Sequence, residues 1–452
     1  YVASMNVLDS SYITRKQFGQ TVTGNAVTFQ ISGLGGDTSE LFFELFSAEN
    51  YYLEVDNVHI PLFESQVSVD SELKQVTISG IPNGDAELTV AIRRSKLVSK
   101  AKSLVRCEDL IISRSELSGS GIGSTSLNDG LSFSQVYGTR VQDEEISLNF
   151  PEANRILAIL ESNDTNNPEL PAITVSQQSD TFTGNVLVGE QFIGAASGAV
   201  ARVVVRNASQ LSFVYENENT FQVEETITLM TSGITATVDD ITIGDSNIID
   251  DFTLDNGHRD DFVDYARIVR KSDVEKPTRK LRVIFDRFSN DESSGNIETV
   301  NSYNDIDYSS DLPFVFDSYA SDYIDFRPRV SPYNTSSTKS PFSYASRSFA
   351  SSESETVVTN KTVVVDYSYY LGRVDRLYLG QDGIFTVKEG KPSRVPKAPL
   401  PNEGAFQVAT ISYPPYVRDA SEIITKTVPH KRYTMRDIGS LENRIKNLEN
   451  YT

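Results

Sequence analysis

The sequence predicts a mainly β fold, built from several small β-sandwich or barrel modules with a few short helices and a C-terminal coiled-coil-like helix. Three observations carry this. Short alternating or apolar runs recur between Gly, Pro, Asn and Asp turn signals. A hairpin-type segment occurs twice at an offset of 35 residues. The last twenty residues space their apolar side chains 3-4-3, as an amphipathic helix does. A length of 452 residues suggests about three domains.

Residues 1–92 read as an N-terminal β-sandwich-like domain. Asn25–Ile31 alternates, Leu41–Phe46 is apolar, and Gln66–Ser79 carries Val67, Val69, Val76 and Ile78. Pro82-Asn83-Gly84-Asp85 is a turn before a strand at Leu88–Ile92. Residues 93–172 are expected to connect this domain to the central one and to supply its first part. Within them, Arg93, Arg94, Lys96, Lys100, Lys102 and Arg106 form a basic run, read as a solvated strand or as a docking patch for an acidic neighbour. Ser115–Asp129 is a Gly/Ser-rich loop. Glu145–Phe150 alternates as a strand. Pro151 is placed to open a short helix with Ala153, Ile156, Leu157 and Leu160 on one face. Asp143, Glu144 and Glu145 read as a solvated or salt-bridged run.

Residues 173–243 hold the repeat. Leu187–Val203 and Gln222–Val238 match at Glu190/Glu225, Ser197/Ser232, Gly198/Gly233, Ala201/Ala236 and Val203/Val238. A Ser-Gly turn between alternating strands is a hairpin unit. Two units can close one small barrel or sandwich that neither builds alone. The module is read as an insertion.

Residues 244–430 are expected to form a β-rich domain with long polar loops. Tyr265, Ile268 and Val269 suit a short helix or a strand. Strands are expected at Leu281–Phe285, Thr362–Tyr370, Arg376–Leu379, Gly383–Val387 and Phe406–Ser412. Ser331–Glu355 is Ser-rich and is expected to be an exposed loop, ordered only by other chains. Residues 431–452 are read as a truncated seam helix. Thr434 and Asp437 make a capping box. Ile438, Leu441, Ile445 and Leu448 form the oligomer seam, with Glu442 and Lys446 paired beside it. The seam faces either its own chain or a bundle of copies.

Composition narrows the function. Asp and Glu number 62 against 41 Lys and Arg, a net charge of −21, so nucleic acid is not an expected partner. Cys107 is the single cysteine, so an intrachain disulfide and a cysteine-rich zinc cluster are excluded. His59, His258 and His430 lie far apart and no metal motif contains them. No apolar run is long enough to span a membrane as a helix. Asn304–Asp311 has spaced oxygen donors but lacks the central Gly and final Glu of a calcium loop. Ser99 and Lys102 share the spacing of a Ser/Lys dyad without its companion motifs. The expectation is a non-enzyme with no catalytic residues, metal or cofactor. A chain that begins at Tyr1 is read as a fragment or a processed product.

Four stretches carry a resemblance. They are YGTRVQDEEISLNFPEANRILAILESND (residues 137–164), LDNGHRDDFVDYARIVRK (254–271), DYIDFRPRV (322–330) and YTMRDIGSLENRIKNLENYT (433–452). Each resembles a segment of a large virion structural protein of contractile-tailed bacteriophages, especially cyanophages. YYLGRVDRLYLGQDGIFTVKEGKPS (369–393) is similar to it too. The repeat module resembles Ser-Gly-Ala hairpin repeats inserted in phage tail proteins. Residues 1–90 carry no resemblance. The family implies a baseplate or tail-fibre type protein located in the virion tail and assembled in the host cytoplasm. It suggests a homotrimer at the baseplate periphery, joining baseplate and tail-fibre proteins without entering a membrane. The alternatives are a host-surface adhesin whose repeat module binds glycan and, more remotely, a tail-associated polysaccharide depolymerase. Members of this family continue past the final helix.

Overall fold

The structure, a computed structural model, describes residues 2–35, 37–117, 129–176, 185–207, 209–291, 294–308, 310–349, 356–430 and 433–450. Gly119, Gly121 and Gly123 of the expected Gly/Ser loop lie outside them. The chain divides into two compact units. One is Ser4–Tyr367, and the other is Ser368–Thr452 with the chain's first residues. The division falls inside the 244–430 domain expected from the sequence.

The larger unit starts with a sandwich. Strand Val2–Val22 pairs antiparallel with Gly84–Ser95, which also pairs with Tyr51–Val55 and Leu41–Phe43. A three-stranded sheet of Ala26–Gln30, Gln75–Ser79 and Val67–Val69 supplies the second layer. Alternation sets the faces: Val27 and Phe29 are buried while Thr28 between them is exposed. The core gathers Phe18, Phe29, Phe43, Leu53, Val76, Ile78 and Leu88. Gly84 is required where the turn enters its strand, because a Cβ there would lie 2.3 Å from the Asp56 carboxylate.

The central part is a second sandwich. One sheet orders Glu145–Pro151, Tyr265–Arg270 and Phe252–Asp255. The other orders Ser246–Asn247, Ala153–Glu161, Leu281–Asn290 and Lys102–Ile112. Ile146, Leu148, Ile159, Ile268, Val283 and Phe285 fill the space between them. The helix expected after Pro151 is therefore a strand, as is the segment around Ile268. Ala153–Glu161 is buried on both faces: Ile159 joins the sandwich core, while Ala158 and Leu160 join a separate cluster. Two register shifts against Leu281–Asn290 further disturb its alternation. Together these produce apolar spacing that resembles a helical stripe.

The repeat closes a six-stranded barrel of Ala172–Val175, Gln191–Gly194, Val200–Arg206, Gln210–Tyr215, Thr226–Leu229 and Thr235–Thr242. The two repeat hairpins pair through Phe192↔Leu229 and Gly194↔Ile227. Phe192, Phe213, Phe221, Val203 and Val238 fill the interior. The matched glutamates bind the copies reciprocally. Glu190 accepts from the backbone N–H of Thr231 at 2.8 Å and from that of Ser232. Glu225 accepts from the N–H of Ala196 and Ser197 at 3.2 and 3.0 Å. Each carboxylate thus holds the Ser-Gly turn of the other copy, where Gly198 and Gly233 adopt φ of 64° and 68°.

The barrel leaves and rejoins the central sheet at adjacent points, since Leu160↔Asn247 and Glu161↔Ser246 are paired. Deleting residues 173–243 and joining the flanks should therefore leave a folded remainder. Its stability should fall, because Cys107, Ala158, Leu160 and Ile284 lose their packing against Val204 and Val214. Circular dichroism and urea unfolding of the deletion variant check this. Loss of β signal would make the barrel integral to the fold.

Ser331–Glu355 departs from expectation within the described residues 331–349. Arg347 binds Asp264 through two hydrogen bonds, Tyr333 is buried against Tyr265, and Val330 bridges Phe349. Its own chain orders this loop. The smaller unit contains a four-stranded sheet, ordered Phe385–Lys388, Arg373–Leu379, Phe406–Tyr413 and Ile424–Thr427. The helix Met435–Glu449 follows.

Candidate functional site

The six cations proposed as one docking patch are not brought together. Arg93 lies on the strand Gly84–Ser95 and pairs with Glu44 at 3.2 Å; Lys96 just beyond pairs with Glu40 at 2.7 Å. Arg94, on the same strand, sits opposite Tyr12 and Leu41. Lys100 is buried, as is Lys102. Arg106 binds Asp311 at 2.6 Å and Asp286 at 3.5 Å. The run divides: Lys100 and Lys102 are buried, Lys96 is exposed, and Arg93, Arg94 and Arg106 lie between, so the six do not form one surface.

Lys102 instead centres a buried charge cluster. Its Nζ lies 2.9 Å from Glu152 Oε1 and 2.5 Å from Glu298 Oε2, and it donates to the Tyr303 hydroxyl at 3.0 Å. Arg329 binds Glu152 at 2.5 Å and also pairs with Glu298. His258 Nε2 approaches Glu152 at 3.6 Å, while its Nδ1 lies 3.1 Å from Arg327. Asp325 holds Arg327. Glu152 reaches the cluster from the one-residue link between strands Glu145–Pro151 and Ala153–Glu161, at a left-handed φ of 53°. The cluster ties together chain positions spread from 102 to 329. Sequence reasoning missed it, because only the fold makes its members neighbours.

Burial raises the Glu152 carboxyl, but Arg329, Lys102 and His258 outweigh it and hold the group well below the usual range. Burial pushes Glu298 up. Burial pushes His258 down to about 4 from 6.5; Glu152 opposes this, and Lys102, Arg327 and Arg329 assist it. Between pH 6.5 and 4 the unfolded chain therefore holds a proton on this residue that the folded chain lacks. Stability from His258 should be present above 6.5 and fall by about 3 kcal/mol as pH drops to 4. Glu298 acts in the opposite sense, so the comparison that isolates His258 is His258→Asn. Its urea midpoint should fall less than the parent's between pH 6.5 and 4. Equal slopes would contradict the assignment.

The other chemical candidates are absorbed by the fold. Asp143 is buried and binds Arg140 at 2.5 Å, and Glu145 binds Arg267 at 2.7 Å. Asp311, in the stretch weighed as a calcium loop, faces Arg106 and Arg155. Among the described residues no group of three or more His, Cys, Asp and Glu is placed to hold a metal. Ser99 hydrogen-bonds Thr299 at 2.6 Å, so the matched spacing with Lys102 leads to separate partners. Burial pushes the Cys107 thiol up to about 12. A cleft of about 540 Å³, lined by Leu160, Val214, Tyr215, Phe221 and Asn247, lies where the barrel meets the central sheet.

The C-terminal helix is the clearest surface feature. Thr434 Oγ accepts from the Asp437 N–H at 3.3 Å, and Asp437 accepts from the Thr434 N–H at 2.9 Å. This capping box starts the helix. Glu442 and Lys446 pair at 2.8 Å. Ile438, Leu441, Ile445 and Leu448 are 48, 42, 56 and 67% exposed, and no described residue of the helix is buried. Among the described residues, the seam is therefore left about half in water.

These features describe a multi-module β protein with an exposed apolar helix stripe. The family described as a domain of unknown function (DUF4815) matches residues 330–452, which include the C-terminal sheet and this helix. No curated protein and no solved structure matches the chain.

Proposed function

We propose that this chain is a structural component of a contractile phage tail, a baseplate-periphery protein that connects baseplate and tail fibres as a homotrimer. The observation that carries the reading is the exposed seam of Ile438, Leu441, Ile445 and Leu448. An a/d stripe of branched apolar residues suits identical helices packed around one axis. A stripe left in water costs free energy that association recovers. The segments resembling tail proteins, and the building of the chain from small β modules, support the same reading. Immunogold labelling of contractile-tailed virions, with antibody raised against this chain, should place gold at the baseplate. Gold on the capsid, or none on intact virions, would overturn it.

The cleft beside the barrel favours a second reading, an adhesin. Tyr215 and Asn247 line it, an aromatic and an amide side chain of the types that sugar sites use. Binding of the full chain to a glycan array, lost on Tyr215→Ala, would favour it over the connector.

A further inference from the structure

The C-terminal sheet has almost no core of its own. From residue 368 onward, the buried side chains are Asp375, Tyr378 and Ala409 among the described residues. None of the seven buried apolar clusters includes a residue of this unit. A sheet of this size needs an apolar face packed against another layer.

Strand register shows which side chains share a face. Leu377 lies opposite Val387 and Ala409, Leu379 lies opposite Phe385 and Phe406, and Asp375 lies opposite Ile411. Directly paired residues share a face, so Leu377, Leu379, Phe385, Val387, Phe406 and Ile411 lie on one mainly apolar face, together with the buried Asp375 and Ala409. Phe385, Val387 and Phe406 are 61, 50 and 50% exposed. A buried aromatic ring covers about 150–250 Å², so the two half-exposed phenylalanines alone leave roughly 200 Å² uncovered. The opposite face carries Arg376, Thr386, Lys388, Gln407, Thr410 and Lys426 around the buried Tyr378, a mainly polar face with one covered ring.

We infer that this apolar face packs against the same unit of other copies of this chain, so that the C-terminal sheet completes its core only in the assembly. Three features point to a second copy as the occupant. The described residues of the unit bury only Asp375, Tyr378 and Ala409, too few for a second layer. Its helix presents a stripe suited to identical helices, so gathering the helices gathers the sheets of the same unit. Residues 368–452 hold 13 Lys and Arg against 9 Asp and Glu, in a chain of net charge −21. Copies of this near-neutral unit therefore meet with little of the repulsion that the acidic remainder would impose. The inference rests on the self-association proposed above and adds a second contact to it.

Sedimentation velocity of the full chain, with Phe385→Glu/Phe406→Glu, Thr386→Glu and Leu441→Asp/Leu448→Asp variants, tests this. Phe385→Glu/Phe406→Glu should raise the concentration for half-assembly by about tenfold or more, while Thr386→Glu on the other face leaves it unchanged. Because both phenylalanines are already half in water, their loss should not unfold the monomer. Hydrogen exchange of the parent provides a variant-free check: amides of Arg373–Leu379 and Phe406–Tyr413 should gain protection as concentration rises. If the helix variant dissociates the assembly while Phe385→Glu/Phe406→Glu does not, the seam stands and the sheet interface is wrong. A parent that stays monomeric throughout, with concentration-independent exchange, would overturn both and leave the face to a different protein.

Discussion

Replacing Lys102 with Met is expected to destabilise the chain by about 3–5 kcal/mol, measured by urea unfolding at pH 7. The ammonium group is fully enclosed and faces Glu152 and Glu298 together, both themselves buried. Met fills much of the same volume, so lost packing is the smaller part of the effect. The larger part is the charge left behind. With Lys102 gone, Arg329 is the main cation facing both carboxylates. A second substitution, Glu298→Gln, should therefore restore part of the loss, since it removes one of the two negative charges that then share Arg329. A single variant within 1 kcal/mol of the parent would mean that the cluster adjusts its protonation at little cost.

The contrast between this cluster and the C-terminal helix explains what the sequence revealed. The helix was legible because all its signals are local. Thr434 and Asp437 lie three residues apart, and the seam repeats within four turns. The barrel was legible because duplication writes one hairpin twice, and Glu190 and Glu225 marked the matched positions before their role was visible. The central sandwich was less legible. Ala153–Glu161 is packed on both faces, so strand alternation is lost and a helical stripe appears in its place. The basic run from Arg93 to Arg106 was legible as charge but not by partner, for a related reason. Its charges are answered by Glu44, Glu40, Glu152, Glu298 and Asp311, and the last three of these come from distant strands and loops. The Ser-rich loop misled because composition does not record that Arg347 finds Asp264 in the same chain.

The second large effect is expected at the seam. Ile438, Leu441, Ile445 and Leu448 present four branched apolar side chains to water. Burying each would contribute about 1.5–3 kcal/mol. Aspartate at positions 441 and 448 would remove that gain and place a charge where a neighbouring copy packs. The monomer should be unaffected, because both side chains are exposed and the capping box at Thr434 is untouched. Circular dichroism of dilute samples should therefore agree between parent and variant, while association differs.

Sedimentation equilibrium of the parent chain beside Leu441→Asp/Leu448→Asp tests the central claim most directly. The account predicts that the parent, with a chain mass of 50.1 kDa, approaches three times that mass as concentration rises. The variant is predicted to remain at the single-chain mass over the same range. A variant that assembles like its parent, or a parent that stays at the single-chain mass throughout, would contradict it.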